Sequence, residues 1–284
     1  MSQELTTVRC EVCPRHCVLS PGHMGACGAR QAQGGISVCA AYGRLTSVAL
    51  DPIEKKPLAR FMPGTRVLSM GGYGCTMSCP FCQNASISQR AANEVAWEYV
   101  NPQSMVGMAC ELRERDKGVV GIAYTYNEPL VAWEYVRDTA VLAHEEGLVN
   151  VLVSSANVEP WVMREVAPFM DAANIDLKGF TDEYYRWCGG DLSVVRDNLT
   201  YLAALESVHL EVTTLVVPGR NDSDEEMEAM SSWLATLDPE LTYHVTRFFG
   251  RWKLAGEDPT PVSSVRHLAD VARRHLEHVY VGNC

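Results

Sequence analysis

From Val67 onward, short apolar runs alternate with longer stretches whose apolar residues recur every three or four positions. The short runs fit buried strands, and the longer stretches fit amphipathic helices. Strands are expected at 66–71, 119–125, 149–154, 172–177, 208–216, 243–248 and 278–281. Helices are expected between them, at 102–116, 130–146, 160–168, 182–187, 193–204, 222–237 and 261–277. Asp222-Ser223 ahead of Asp224-Glu225-Glu226 marks one helix start, with acids set against the positive end of the helix dipole. Alternation of this kind builds a parallel sheet. About six repeats suit an α/β fold, a partial (β/α)6 barrel of the TIM type, better than a closed eight-fold one.

In parallel barrels the active site sits where the C-terminal ends of the strands emerge. Polar residues gather at those ends. Asn127-Glu128-Pro129 follows the second strand, Ser154-Ser155-Ala156-Asn157 the third, and Asp176-Leu177-Lys178-Gly179 the fourth. The fifth strand carries Glu211, Thr213 and Thr214, and the sixth carries His244, Thr246 and Arg247. His244 and Arg247 stand three apart and so point to opposite faces. His244 is the one expected to face inward.

Two segments precede the barrel at 66–284. Residues 1–45 form a Cys-rich stretch with Cys10, Cys13, Cys17 and Cys27 at spacing x2, x3 and x9, interleaved with Gly22, Gly25 and Gly28. So short a segment cannot build its own apolar core, so a metal-bound knuckle is expected. Thiolates suit either zinc or an auxiliary iron–sulfur cluster, and spacing does not separate the two. Residues 46–65 contain Asp51-Pro52 and Lys56-Pro57 and read as a non-helical linker. Cys39 falls outside the pattern and reads as a small buried apolar residue. Cys188-Gly189-Gly190 after a helix reads as a C-cap, or as a thiol-bearing loop near substrate.

Composition narrows the classes. The chain has 284 residues, 47% of them hydrophobic, enough for one large domain or a barrel with an appendage. No run of about eighteen apolar residues is present, so no membrane span is expected. Residues 1–7 lack an apolar core of the secretory type. Eleven cysteines in that context read as metal ligands and reduced thiols, which points to the cytoplasm. The net charge of −11, without a stripe of Lys and Arg, argues against a nucleic-acid partner.

The densest chemistry lies at Gly74-Cys75-Thr76-Met77-Ser78-Cys79-Pro80-Phe81-Cys82-Gln83-Asn84, with its cysteines at C-x3-C-x2-C. Three thiolates on so short a turn can converge on one metal centre. A cubane cluster usually takes four cysteines. A set of three with no fourth nearby leaves one iron open. A structural zinc knuckle would require four protein ligands and finds three here.

This loop, followed by Gln83-Asn84, resembles the signature of the radical S-adenosylmethionine (SAM) enzymes. The resemblance implies a [4Fe-4S] cluster on Cys75, Cys79 and Cys82, whose open iron binds SAM. It implies reductive cleavage of SAM to a 5′-deoxyadenosyl radical. It further implies an oxidoreductase working in an anaerobic setting and served by an electron donor of the flavodoxin or ferredoxin type. Phe81 and Asn84 belong to the same motif. Glu128, in the Tyr126-Asn127-Glu128-Pro129 turn, is expected to meet the SAM amino group, with Asn127 beside it. Lys178 is expected to neutralise the SAM carboxylate while Asp176 orients it. Ser155 and Asn157 are expected on ribose or methionine, or as simple turn caps.

Three further segments, 10–30 with its Cys-Pro-Arg-x-Cys step, 51–58 and 74–89, resemble the AmmeMemoRadiSam-system radical SAM enzymes. Those enzymes are relatives of pyruvate formate-lyase activating enzyme. Where the activating enzymes place an Asp for a monovalent cation, this chain has Val153. The expected reaction is hydrogen abstraction from a small molecule or peptide. An alternative is an activating enzyme that makes a glycyl radical on a partner protein. Against that, the extra cysteines here number four and precede the loop, whereas the dedicated activating enzymes with extra clusters usually carry an eight-cysteine ferredoxin-like insert after it. A third reading, a zinc or iron–sulfur electron-transfer or interaction protein, leaves the open iron and the loaded barrel mouth unexplained.

Overall fold

The strand–helix repeat curls into one sheet of eight strands. In the computed structural model, which describes residues 7–284, these strands are β1 (Ser47–Pro52), β2 (Arg66–Gly71), β3 (Val119–Tyr124), β4 (Val149–Ser154), β5 (Ala172–Asp176), β6 (His209–Val216), β7 (Thr242–Arg247) and β8 (Val279–Gly282). They lie side by side in chain order. β2 to β8 are parallel, and β1 pairs antiparallel with β2. β1 and β8 are therefore the two edges of an open barrel. The reading of residues 1–6 as free of a secretory signal lies outside the described residues. No helix among the described residues is long and apolar enough to cross a membrane.

The helices are α1 (Ala85–Ser88), α2 (Pro102–Arg115), α3 (Trp133–Glu145), α4 (Pro160–Val166), α5 (Asp182–Cys188), α6 (Leu192–Ala203), α7 (Asp224–Leu237) and α8 (Val262–Ala272). Their starts follow from local chemistry. Asn101 accepts from the Ser104 amide at 2.8 Å, Thr181 from Tyr184 at 3.2 Å, and Ser223 from Glu226 at 3.1 Å. α3 starts later than expected because Pro129–Ala132 form a tight 3-10 turn first. α8 stops before 277 because its last turn tightens, with Arg274 and His275 amides bonding carbonyls three residues back.

Successive strand residues face opposite ways. Leu68, Met70, Ile122, Tyr124, Leu152 and Ile175 face outward and form the main core with the helices. Val67, Ala123, Val151 and Ala172 face the lumen, where Ile53 and Leu58 pack on them. Those two residues come from the stretch expected to be a linker. It is no free connector. It supplies β1, then seals the lower end of the lumen. Pro52 is tolerated because it ends an edge strand. The seal is bonded from below the mouth: Asn174 Nδ2 donates to Pro57 O at 2.8 Å. The amides of Ala59 and Arg60 donate to the Glu211 carboxylate at 2.9 and 2.8 Å.

The Cys-rich segment makes short antiparallel pairs, Val8–Arg9 with Val18–Leu19 and Arg30–Gln33 with Ile36–Cys39. It is docked onto the barrel. Arg30 forms a largely buried ion pair with Glu134 at 2.7 Å, and Trp161 Nε1 donates to Glu11 O at 2.8 Å.

Candidate active site

The loop after β2 is held from several sides. Gly71 lies so close to β3 that an added Cβ would stand 2.7 Å from Thr125 O. Gly74 adopts φ +86°, and a Cβ there would meet Cys27 O at 2.3 Å, so glycine is required twice over. Asn127 staples the turn: its Oδ1 accepts from Gly72 N at 3.0 Å, and its Nδ2 donates to Tyr73 O and Gly74 O at 3.1 and 3.0 Å. Asn84 Nδ2 donates to Tyr126 O at 2.7 Å, and Ser78 N to Cys188 O at 2.8 Å.

On this frame the loop presents Cys75, Cys79 and Cys82. Cys79 Sγ stands 3.9 Å from Cys188 O, and Cys82 Sγ 3.2 Å from Ser88 Oγ. Burial, and then the Glu128 carboxylate, push the Cys75 thiol up. Burial likewise raises Cys82. Cys79 is pulled down by the neighbouring Cys188 thiol and, against burial, by Lys178. Lys178 Nζ donates to Asp176 Oδ2 at 2.7 Å. Burial alone would lower Lys178, but Asp176 and the Cys79 and Cys82 sulfurs raise it. The loop thiols and this ammonium therefore lie within electrostatic reach at the C-terminal strand ends.

Three soft thiols on one turn, with a cation beside them, suit a cluster that leaves one iron for an outside ligand. Among the described residues, no three His, Cys, Asp or Glu side chains are placed to share a single metal ion. The radical SAM superfamily profile matches residues 70–234, which begin at the end of β2 and run into α7. The chain belongs to the radical SAM superfamily. It is a radical SAM enzyme, and the superfamily's cofactors are a [4Fe-4S] cluster and SAM.

Relatives agree. The uncharacterized protein MJ0808 of Methanocaldococcus jannaschii is 36% identical over 278 residues, covering 97% of this chain and 81% of that protein. The indoleacetate decarboxylase activating enzyme of Tractidigestivibacter scatoligenes is 25% identical over 173 residues, 57% of this chain and 54% of that enzyme. In fold, a domain of pyruvate-formate lyase-activating enzyme from Bacteroides vulgatus matches with a TM-score of 0.50 at 15% identity, over 58% of this chain and 99% of that one.

Several expected site residues take other places. Glu128 is buried, and all its acceptor sites are filled. Ser154 Oγ and Leu130 N reach Oε1 at 2.7 and 3.1 Å, while Ser155 N and Oγ reach Oε2 at 2.9 and 2.6 Å. A carboxylate has about four lone-pair sites, so none remains for an amino group. Burial pushes its pKa up despite these donors. Glu128 thus fixes the turn beside Cys75, and Ser155 serves Glu128. Asn127 is engaged by the loop backbone, as described. Asn157 Oδ1 accepts from Asp191 N at 2.9 Å, a loop brace. Phe81 turns away from the mouth and packs on Tyr184 and Trp187 of α5.

His244 faces the lumen, as expected, but low in it. Its Nε2 meets Glu211 Oε2 at 2.6 Å, and its ring stacks on Tyr280. Burial pushes the Glu211 carboxyl up, but His209, His244 and the two amides outweigh it and hold it down to about 2. Sequence reasoning missed the lumen pair Asp51–Lys56 at 2.8 Å, with Tyr126 Oη donating to Asp51 at 2.6 Å. It also left open the closeness of Cys188 to Cys79, whose partners lie 109 positions apart.

Cys10, Cys13, Cys17 and Cys27 line one cavity, together with Val12, Arg15, Gly25, Arg30, Thr76 and Val131. Burial raises Cys13 to about 12, and the other three thiols of the set add to the rise.

Proposed function

We propose that Cys75, Cys79 and Cys82 hold the [4Fe-4S] cluster and that the mouth above them receives SAM and an organic substrate, a small molecule or a peptide. When bound, the cluster supplies the electron that cleaves SAM to methionine and a 5′-deoxyadenosyl radical, which takes hydrogen from the substrate. The observation that carries this reading is the meeting of the loop thiols with the Lys178–Asp176 pair at one end of the lumen.

The chain's own residues bind, orient and exclude water. Lys178 has three N–H donors, of which one is given to Asp176, so it can neutralise a carboxylate such as that of SAM. Asp176 aims it. Asn127, Asn84, Glu128 and Ser155 keep the loop and its neighbouring turn in register. The seal at 53–65 closes the lower lumen, so a reactive species formed at the mouth does not meet water from below. A second metal centre at Cys10, Cys13, Cys17 and Cys27 and an electron donor of the flavodoxin or ferredoxin type complete the reading.

The match to an activating enzyme favours a second reading, in which the hydrogen comes from a glycine of a partner protein. The test is anaerobic. Reduced, reconstituted protein is incubated with SAM, and 5′-deoxyadenosine is quantified. Deuterated candidate substrates are then screened for label transfer into that product, and a candidate partner for a glycyl-radical EPR signal. Absence of SAM cleavage by cluster-loaded protein would overturn the first reading.

A further inference from the structure

We propose that Cys10, Cys13, Cys17 and Cys27 hold an iron–sulfur cluster that passes single electrons to the centre in the 75–82 loop. The relay rests on the reading of that loop given above; the metal site itself does not. The four thiols share one cavity. Two of its other walls carry buried donors with nothing to donate to: Thr76 Oγ1 and Arg30 Nε. Thr76 is 3% exposed and Arg30 4%. The remaining Arg30 nitrogens are spent on Glu134 and on Ser37 O. A buried donor left unmet loses its hydrogen bonds to water with nothing in return. The sulfides and thiolates of a cluster are acceptors that would meet both.

A zinc ion would leave both donors to the four thiolates alone. A cluster brings inorganic sulfides as further acceptors.

The position gives the function. Thr76 lines this cavity, while Cys75, its neighbour with a Cα about 3.8 Å away, belongs to the active-site loop. The two centres thus flank one strand of chain. The packing there is tight enough to forbid a Cβ at Gly74, against Cys27 O. A second bridge runs from Arg15 Nη2 to Gly189 O at 3.3 Å, next to Cys188, whose carbonyl faces the Cys79 thiol. Cys17 and Cys27 are only partly buried, so a donor protein can approach the outer centre from solvent. In each transfer the outer cluster loses one electron as the inner gains one, and no bond or proton changes hands. A one-electron donor protein of the flavodoxin or ferredoxin class restores the outer cluster.

The full chain carrying Cys75→Ala, Cys79→Ala and Cys82→Ala reads the outer site alone. After anaerobic reconstitution it should retain iron and acid-labile sulfide in equal amounts. Zinc instead, or no metal, would overturn the proposal, whatever SAM cleavage by the unaltered protein shows. For the relay, Cys10→Ala with Cys17→Ala should leave the inner cluster's EPR signal but slow its reduction by flavodoxin at least tenfold in stopped flow. Dithionite should still reduce it. An unchanged flavodoxin rate would refute the relay. Should that variant not fold, Thr76→Val decides: loss of one donor to the outer cluster should shift its midpoint potential to more negative values, and an unmoved potential would count against the site.

Discussion

The two ends of the lumen are both polar, and they differ in what their polar groups leave unspent. At the lower end, Glu211 is fully buried and accepts from two histidines and two backbone amides. Asp51 is matched in the same way, by Lys56 and Tyr126. At the mouth, Asp176 is a third exposed, Lys178 has donors to spare, and the thiols of Cys75, Cys79 and Cys82 lie on the adjoining loop. Charge in a barrel is therefore no mark of chemistry by itself. Free hydrogen-bonding capacity with access to the outside is the better sign. The lower network anchors the 53–65 seal, and the upper one is built to receive something.

The sharpest way to break this contrast is to remove one group from each end. Cys79→Ala should abolish SAM cleavage, below a thousandth of the unaltered rate, while circular dichroism and thermal unfolding stay close to those of the unaltered protein. Glu211→Ala should do the reverse. It strands two histidines and two amides around an emptied site, a loss of about 3–5 kcal/mol for a broken buried pair. Cleavage per cluster in the fraction that folds should persist. If Glu211→Ala kept its stability in denaturant titration and lost cleavage, the lower network would belong to the active site.

Acid should separate the ends more gently. The Glu211 carboxyl is held at about 2 against its ordinary 4.5. A group lowered in the folded state stabilises above the unfolded pKa. Its contribution, about 3 kcal/mol at neutral pH, is lost as pH falls from about 4.5 toward 2. Urea midpoints across that window should drop more for the unaltered protein than for Glu211→Gln. Equal slopes would show that the network does not hold the seal.

The parallel strands were legible because each is a short apolar run ended by Gly or by polar residues, and the cysteine loop because its spacing leaves few other uses. β1 was hidden by Pro52 and Pro57, which read as breakers although one merely closes an edge strand. His244 was read at the mouth because a strand's polar residues show their face but not their depth. It is the third residue of β7, two places from the lower end. Glu128 has the charge and the place in the turn that an amino-group partner needs. Its saturation by Ser154, Ser155 and Leu130 depends on how two strand ends meet, which no local pattern records. The aromatic nest that draws in Phe81 is likewise formed by a distant helix.

The smallest expected effect tests what separates the mouth from a rim salt bridge. Lys178→Met keeps length and apolar stem but removes the ammonium. Were Lys178 only a partner for Asp176, the variant would lose the stability of that largely buried pair, and SAM would bind as before. Were it the carboxylate's counter-ion, stability would change little and SAM affinity would fall about tenfold, equivalent to about 1.4 kcal/mol. Equilibrium dialysis of SAM against cluster-loaded protein distinguishes these outcomes. Lys178→Arg should recover part of the affinity, because the charge returns although the geometry of the head group differs. An unaltered dissociation constant in Lys178→Met, with a normal cluster spectrum, would move the carboxylate site away from β5 and leave the loop thiols as the mouth's remaining contribution.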